Sequence, residues 1–282
     1  MFTTLISTAD AALHLADPAF VFIDVRHDLA QPDTWGEAQY RVAHLPGALF
    51  AHLDRDLSAQ KTGRNGRHPL PAPDAAAAAF GRMGIDADKQ VVVYDQGNGM
   101  YASRLWWMLR QLGHLTVAVL DGGFDKWLRE GRATATVPGT PRATTFPIRA
   151  IAPTADAAVV LASLATRSLL VVDARGPERF RGDVEPIDPV AGHIPGAVNR
   201  PFPANLNADA TFRSADDLRA QFDALLAGRP PGEVVVHCGS GVSACHHLLA
   251  MEHAGIAGAR LYPGSWSEWV ADPARPVATG PN

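Results

Sequence analysis

The chain has 282 residues, of which 47% are hydrophobic and 19% are charged, and its formal net charge is -4. This balance excludes a disordered or fibrous protein, and because Lys and Arg are scattered without excess, we expect no nucleic-acid partner. We expect no membrane partner either, since no apolar stretch reaches about 18 residues. The N-terminal stretch, with Asp10 and His14, does not read as a secretory signal, and only two cysteines are present, so a cytoplasmic location is expected.

The first half of the chain reads as buried strands that alternate with loops and helical segments. FIDVR (22–26) precedes AHLPGA (43–48), and VVVYD (91–95) precedes a long helix and the turn DGGFDKW (121–127). Strands that alternate with helices in this way predict an α/β fold, with a mostly parallel sheet and helices on both of its faces.

A stretch rich in Pro, Thr and Ala follows at 133–156 and is typical of a linker. We therefore predict a first domain over residues 1–135, a linker over 136–156 and a second domain over 157–282. Two domains of roughly 140 residues each are of ordinary size.

The second half of the chain repeats the first. VVDAR (171–175) and GHIPGA (192–197) match FIDVR and AHLPGA at one common offset, and PGSWSEW (263–269) matches DGGFDKW. VVVHC (234–238) matches VVVYD, so Cys238 stands where the first half has Asp95. Because ligands of open parallel sheets bind beyond the carboxyl ends of the strands, the contrast between these two residues bears directly on function.

Cys238 ends a buried strand and precedes a glycine-rich loop and a helix. The residues that follow it are small: Gly239, Ser240, Gly241, Val242 and Ser243. We call residues 238–243 the Cys238 loop. Its backbone N–H groups can converge on one point in front of the helix N-terminus, and such a cradle binds anions and favours a thiolate. The sequence therefore predicts a nucleophilic cysteine.

Together these motifs resemble the tandem-domain rhodanese family, the thiosulfate and 3-mercaptopyruvate sulfurtransferases, over essentially the whole chain. YRVAHLPGA (40–48) and YPGSWSEW (262–269) look like the two family signatures, and CGSGVSA (238–244) looks like its active loop. The resemblance implies two tandem rhodanese-like domains, the second one catalytic, and a sulfur carried as a persulfide on Cys238. The expected partners are a small-molecule sulfur donor and an acceptor, either cyanide or a thiol such as thioredoxin or glutathione, and no cofactor or metal is expected.

The resemblance also implies roles for other side chains. Arg179 matches an arginine that binds the anionic end of the substrate, and Glu185 resembles an acidic residue of the same pocket. His44 and Tyr101 match substrate-binding positions of the first domain. The Ser240 hydroxyl can contact the substrate or relay a proton.

Some of these residues have a structural interpretation as well. Ser240 can satisfy backbone groups alone, and Arg179 and Glu185 can be surface residues. His44 has a twin at His193, and a duplicated residue more often pins a turn than performs chemistry. Asp-x-Arg is also duplicated at two strand ends, and we expect an internal ion pair in each, Asp24 with Arg26 and Asp173 with Arg175.

The neutral residues after Cys238 bear on the choice of donor. CGSGV is similar to the loop of mercaptopyruvate sulfurtransferases, whereas other rhodaneses carry basic side chains there. We therefore expect 3-mercaptopyruvate as the donor, with thiosulfate as the alternative. Mercaptopyruvate-specific relatives carry a second arginine in an EPxPR-like stretch, but VEPIDPVAGH (184–193) has none, and Arg200 is a candidate replacement.

Three further functions fit parts of the pattern. A cysteine phosphatase needs an arginine at the end of the loop, where this chain has Ala244. A metal site at Cys238, Cys245, His246 and His247 lacks standard ligand spacing, and Cys245 is most simply a small buried side chain. A non-catalytic rhodanese-like binding or sulfur-carrier module usually lacks the cysteine that this chain retains.

Overall fold

The computed structural model describes residues 1–281 and groups them into two compact units. The first unit comprises Met1–Ala59, Pro71–Ala152 and Asn207–Phe212, and the second comprises Gln60–Leu70, Pro153–Leu206 and the chain from Arg213 onward. This grouping differs from the predicted continuous halves, because a segment from each half packs in the other unit. The exchange of Gln60–Leu70 is fixed by backbone and side-chain hydrogen bonds, such as that from Arg67 N to Ser267 Oγ (3.1 Å).

The first unit contains a five-stranded sheet in which all neighbouring strands are parallel. In chain order the strands are β1 (Leu5–Ile6), β2 (Phe20–Asp24), β3 (Leu49–Phe50), β4 (Gln90–Tyr94) and β5 (Val117–Leu120). Their order across the sheet is β1-β5-β4-β2-β3. Strand β4 is buried along its whole length and consists largely of valine, as is typical of the centre of a parallel sheet.

Six helices of the first unit lie between these strands in the sequence or, in the case of the last helix, directly after them. They are α1 (Thr8–Leu13), α2 (Trp35–Val42), α3 (Leu53–Asp56), α4 (Pro73–Arg82), α5 (Ala102–Gln111) and α6 (Gly123–Arg129). The core between sheet and helices includes Tyr94, Phe124 and Trp127, each at most 2% exposed.

The second unit repeats this arrangement with four parallel strands in the order β7-β6-β8-β9. The strands are β6 (Leu170–Asp173), β7 (Val198–Asn199), β8 (Val234–His237) and β9 (Arg260–Leu261). The helices are α7 (Ala157–Thr166), α8 (Pro177–Arg181), α9 (Ala215–Leu226), α10 (Ser243–His253) and α11 (Ser265–Trp269), with short 3-10 turns at Phe202–Asn205 and Pro231–Glu233. The predicted α/β fold with parallel sheets is confirmed in both units.

Much of the predicted linker lies on the first unit without regular secondary structure. Gly139 N donates to Ala48 O (3.1 Å), and Thr144 N donates to Gly81 O (2.9 Å). These bonds explain why residues up to 152 belong with the first unit. Over residues 1–281, the helices are all too short or too polar to cross a membrane.

Candidate functional site

Cys238 directly follows strand β8, at the carboxyl end of the sheet. Its backbone is held on both sides, because its N–H donates to Ser265 Oγ (3.1 Å) and its carbonyl accepts from Trp266 N (3.0 Å). The residue is 2% exposed. The start of helix α11 thus fixes the backbone of Cys238 where it follows the strand.

The Cys238 loop turns its backbone toward this sulfur. Gly241 N lies 3.1 Å from Cys238 Sγ and donates a hydrogen bond to it. Gly241 has a φ of 76°, and a methyl group there would come within 2.3 Å of the Pro263 carbonyl oxygen, so only glycine fits this turn. A backbone N–H in this position is a hydrogen-bond donor that a negatively charged sulfur can accept from.

Ser240 is paired with a histidine that the sequence did not reveal. His68 Nδ1 lies 2.7 Å from Ser240 Oγ, and the two residues are 4% and 7% exposed. The hydroxyl therefore has a titratable partner, as a proton relay requires. No pattern in the sequence links His68 to the Cys238 loop, because the segment 60–70 that carries it lies far away along the chain.

Arg179 belongs to the short helix α8 and is oriented by Glu185. Its Nε and Nη2 donate to the two oxygens of Glu185 at 3.1 and 2.7 Å, a bidentate pair. Burial acts to raise the pKa of Glu185, but the hydrogen bond from Arg179 and the backbone donor of Asp188 outweigh it and lower the pKa. Glu185 thus orients the guanidinium of Arg179 in this structure. A direct contact between Glu185 and the substrate stays a prediction.

A second arginine, Arg67, lies beside the same loop. It forms an ion pair through Nη1 with Asp188, which also accepts from Arg179 Nη2 at 3.2 Å. A methyl group at Gly239 would lie 2.8 Å from Arg67 Nη2 and 3.6 Å from Arg179 Nη1. Two guanidinium groups therefore border the residue that follows the cysteine.

Arg200, the candidate replacement from the sequence, is committed elsewhere. Its guanidinium donates to Gln221 Oε1 (3.0 Å), pairs with Asn205 and lies 4.3 Å from the centre of the Phe222 ring. Because burial disfavours the charged form, the pKa of Arg200 falls to about 10. Cys245 is fully buried, as predicted, and its Sγ donates to Gly241 O at 3.3 Å.

Both predicted Asp-x-Arg ion pairs are present at the strand ends. Asp24 and Arg26 approach to 2.7 Å, and Asp173 and Arg175 approach to 2.6 Å. In the second unit the pair extends toward the site, because Arg175 Nη1 lies 3.4 Å from Glu185 Oε2.

The predicted first-domain residues occupy different settings in their own unit. The ring nitrogens of His44 lie 2.6 Å from Tyr40 O and 3.0 Å from Val137 O, and the residue is completely buried. This arrangement favours the turn-pinning interpretation. Tyr101 precedes helix α5 and is half-buried; burial raises the pKa of its hydroxyl. A role for either residue in binding substrate stays a prediction.

Asp95 heads the equivalent loop of the first unit, residues 95–101, which we call the Asp95 loop. One carboxylate oxygen accepts from Gly97 N and Gly99 N, both at 3.0 Å. The other accepts from Tyr101 N (2.9 Å) and Ala102 N (3.2 Å). The carboxylate therefore occupies the centre of its own ring of backbone donors.

Comparison with known proteins gives a consistent result. The rhodanese-like domain family matches residues 7–130 and 156–272. The chain is 46% identical over 279 residues to the "Probable 3-mercaptopyruvate sulfurtransferase" of Pseudomonas aeruginosa, with 98% of each chain covered. It is 36% identical to the thiosulfate sulfurtransferase of Cricetulus griseus over 86% of this chain and 83% of that one. The crystal structure of the 3-mercaptopyruvate sulfotransferase SseA from Escherichia coli covers 94% of this chain and 99% of its own, at 32% identity and a TM-score of 0.80.

Proposed function

We propose that this chain moves sulfur from 3-mercaptopyruvate through a persulfide on Cys238. The chain belongs to the rhodanese family, carries two copies of the rhodanese-like domain and is a sulfurtransferase. The observation that carries the proposal is the backbone N–H of Gly241 on the sulfur of a buried strand-end cysteine. In the same loop Ser240 pairs with His68, which belongs to segment 60–70. The first feature suits a sulfur anion and the second suits a proton transfer.

In the first half-reaction the Cys238 thiolate attacks the sulfur of 3-mercaptopyruvate. A sulfur–sulfur bond forms while the carbon–sulfur bond breaks, and its electron pair passes to the methylene carbon as pyruvate enolate. The donor's thiol proton moves to that carbon and gives pyruvate, and Ser240 with His68 provides a route for it. The enzyme is left with a persulfide anion that accepts from Gly241 N.

In the second half-reaction an acceptor removes the outer sulfur. A thiol attacks that sulfur, becomes a persulfide itself and leaves Cys238 as a thiolate. Thioredoxin, glutathione or another small thiol fits this chemistry, and cyanide would give thiocyanate. A free Cys238 is needed at the start of each cycle, which agrees with a reducing compartment such as the cytoplasm.

The neutral residues next to Cys238 support 3-mercaptopyruvate as the donor. Gly239 and Ser240 add no charge beside the sulfur, so the loop offers little to a second negative charge. Thiosulfate is the alternative donor, since it is also an anion and two guanidinium groups, those of Arg67 and Arg179, border Gly239.

A comparison of kcat/KM for 3-mercaptopyruvate and thiosulfate tests the proposal, with cyanide as acceptor and Cys238→Ser as the inactive control. We expect 3-mercaptopyruvate to be preferred, and Arg179→Ala to reduce its kcat/KM about tenfold, or about 1.4 kcal/mol. A preference for thiosulfate would reverse the donor assignment. Equal turnover by wild type and Cys238→Ser would overturn the mechanism itself.

A further inference from the structure

Segment 60–70 is fitted closely to the end of the second unit's sheet. Gly66 has a φ of 82°, and a methyl group there would lie 2.8 Å from the Gly264 carbonyl oxygen. The next residue, Arg67, donates its N–H to Ser267 Oγ at 3.1 Å. The backbone at Arg67 is therefore held against helix α11, the same helix that anchors the backbone of Cys238.

From this anchored backbone the Arg67 side chain reaches Gly239. Nη1 pairs with Asp188, while Nη2 lies 2.8 Å from the position of a methyl group on Gly239. The Arg67 side chain is 26% exposed, whereas that of Asp188 is 4% exposed. Asp188 thus anchors one edge of the guanidinium, and the other edge is directed at the loop.

Arg179 is arranged in the same way. Its Nε and Nη2 are engaged by Glu185, and Nη2 also contacts Asp188. Nη1 and Nη2 lie 3.6 and 3.7 Å from the same point above Gly239. Each arginine is therefore held by a buried carboxylate and has at least one terminal nitrogen beside the residue that follows Cys238.

We propose that Arg67 is a second arginine that binds the sulfur donor. Together with Arg179 it holds the carboxylate of a short α-keto acid, and the thiol of that same acid then lies against Cys238. This inference rests on the proposed sulfurtransferase function and names the group that recognises its substrate. Nitrogens from two guanidinium groups suit the two oxygens of one carboxylate. The stretch 184–193, which lacks the expected arginine, supplies instead the aspartate that positions an arginine from another segment.

The charges of this cluster also select among anions. Arg67 and Arg179 carry two positive charges, and Glu185 and Asp188 carry two negative ones, so the four side chains cancel. The site therefore offers oriented N–H groups to an anion but carries no surplus positive charge. Such a site binds a monoanion such as 3-mercaptopyruvate better than the thiosulfate dianion.

Alkylation of Cys238 by a charged and a neutral reagent tests the proposal without turnover. Iodoacetate carries a carboxylate and iodoacetamide does not, so the ratio of their rate constants at Cys238 reports how strongly the site favours a carboxylate. We expect Arg67→Gln to lower this ratio at least fivefold and Arg67→Lys to recover part of the loss. Arg64→Gln, an exposed arginine of the same segment, is the matched control and leaves the ratio unchanged.

The double variant Arg67→Gln with Asp188→Asn separates binding from simple repulsion. Removal of Arg67 alone leaves the site with one more negative charge than the wild type has, although Asp188 keeps its contact with Arg179. The double variant restores the net charge of the wild type. We expect its ratio to stay low, because the donor nitrogen is missing. A return to the wild-type ratio would overturn the proposal, as would an unchanged ratio in Arg67→Gln.

Steady-state kinetics with 3-mercaptopyruvate complete the test. We expect Arg67→Gln to raise KM about tenfold with kcat within about threefold of wild type, the pattern of lost substrate binding. If wild type fails to turn over 3-mercaptopyruvate, the proposed donor is wrong, yet the alkylation ratio still decides the role of Arg67. If wild type turns over and KM is unchanged in Arg67→Gln, the proposal for Arg67 fails while the sulfurtransferase function stands.

Discussion

The Asp95 loop and the Cys238 loop follow equivalent strands, and each contains a glycine with a φ of 76°, Gly99 in the first and Gly241 in the second. They differ in what fills the ring of backbone donors. In the first unit four N–H groups bond to the carboxylate of Asp95. In the second unit Gly241 N bonds to the sulfur of Cys238.

This difference shows how one loop geometry serves two purposes. In both units the turn between strand and long helix directs backbone N–H groups toward the residue that follows the strand, with four donors on Asp95 and one on Cys238, and such an arrangement suits an anion. A carboxylate at the strand end occupies the site permanently and makes the loop structural. In the proposed mechanism a thiol at the same position accepts and releases a sulfur atom, and the Cys238 loop is then the catalytic one.

The largest expected effect comes from making the second loop like the first. In Cys238→Asp the carboxylate takes the place of the sulfur anion, so we expect sulfur transfer to fall at least about a thousandfold. The variant remains folded, with a Tm no lower than that of Cys238→Asn, since a carboxylate accepts more backbone donors than an amide does. Cys245→Ala, at the other buried thiol, is the control and keeps its activity. A Cys238→Asp protein that unfolds while Cys238→Asn stays folded would contradict the equivalence of the loops.

The next effect concerns the first loop. Asp95→Ala leaves several buried N–H groups without an acceptor, and we expect it to lower the free energy of unfolding of the first unit by about 2 kcal/mol. Denaturant unfolding measures this loss of stability, and hydrogen exchange at the amides of strand β4 serves as the probe for the first unit. Sulfur transfer by the remaining folded protein is expected to change little. Unaltered stability would mean that the four hydrogen bonds do not hold this loop.

Gly241 and Gly99 allow a matched comparison of the two turns. Both have positive φ, but a methyl group at Gly241 would lie 2.3 Å from the Pro263 carbonyl oxygen, whereas one at Gly99 would lie 3.3 Å from the Phe212 ring. We therefore expect Gly241→Ala to be destabilising by about 1 kcal/mol more than Gly99→Ala. Tm values of the two variants check the order, and the reverse order would contradict it.

The smallest expected effect is a difference between the two ion pairs, Asp24–Arg26 and Asp173–Arg175, in how their contribution to stability depends on pH. Burial raises the pKa of Asp24 despite Arg26, whereas His237 and Arg175 overcome burial and lower the pKa of Asp173. A lowered pKa contributes stability above the ordinary carboxyl pKa of about 4, and this stability is lost as the pH falls through the folded-state pKa. A raised pKa has the opposite sign, so the Asp24 carboxylate destabilises at neutral pH.

We therefore expect Asp173→Asn to lower Tm more than Asp24→Asn at pH 7. The gap between the two variants begins to narrow below about pH 4, where aspartates of the unfolded chain bind protons, and it closes as the pH falls through the lowered pKa of the folded Asp173. Thermal melts of both variants and the wild type across this range supply the measurement. A gap that widens on acidification would contradict the assigned directions.

Local patterns made the nucleophile and its surroundings predictable. Strand-like valine runs, the glycine-rich loop and the repeat placed Cys238 and Asp95 correctly at equivalent strand ends, and the duplicated Asp-x-Arg pairs form as expected. His68 and Arg67 were missed, because segment 60–70 packs with residues far away in the sequence and carries no periodic signal. For the same reason the sequence offers Arg200 as the second arginine, although its guanidinium is buried against Phe222.

Mass spectrometry of the protein can detect a sulfur atom carried on Cys238. The protein is mixed with 3-mercaptopyruvate in the absence of an acceptor and then digested to locate any added mass. We predict a gain of one sulfur atom on the peptide that contains Cys238, lost on addition of cyanide and absent from Cys238→Ser. Release of pyruvate without this gain, or a gain located on Cys245, would contradict the account.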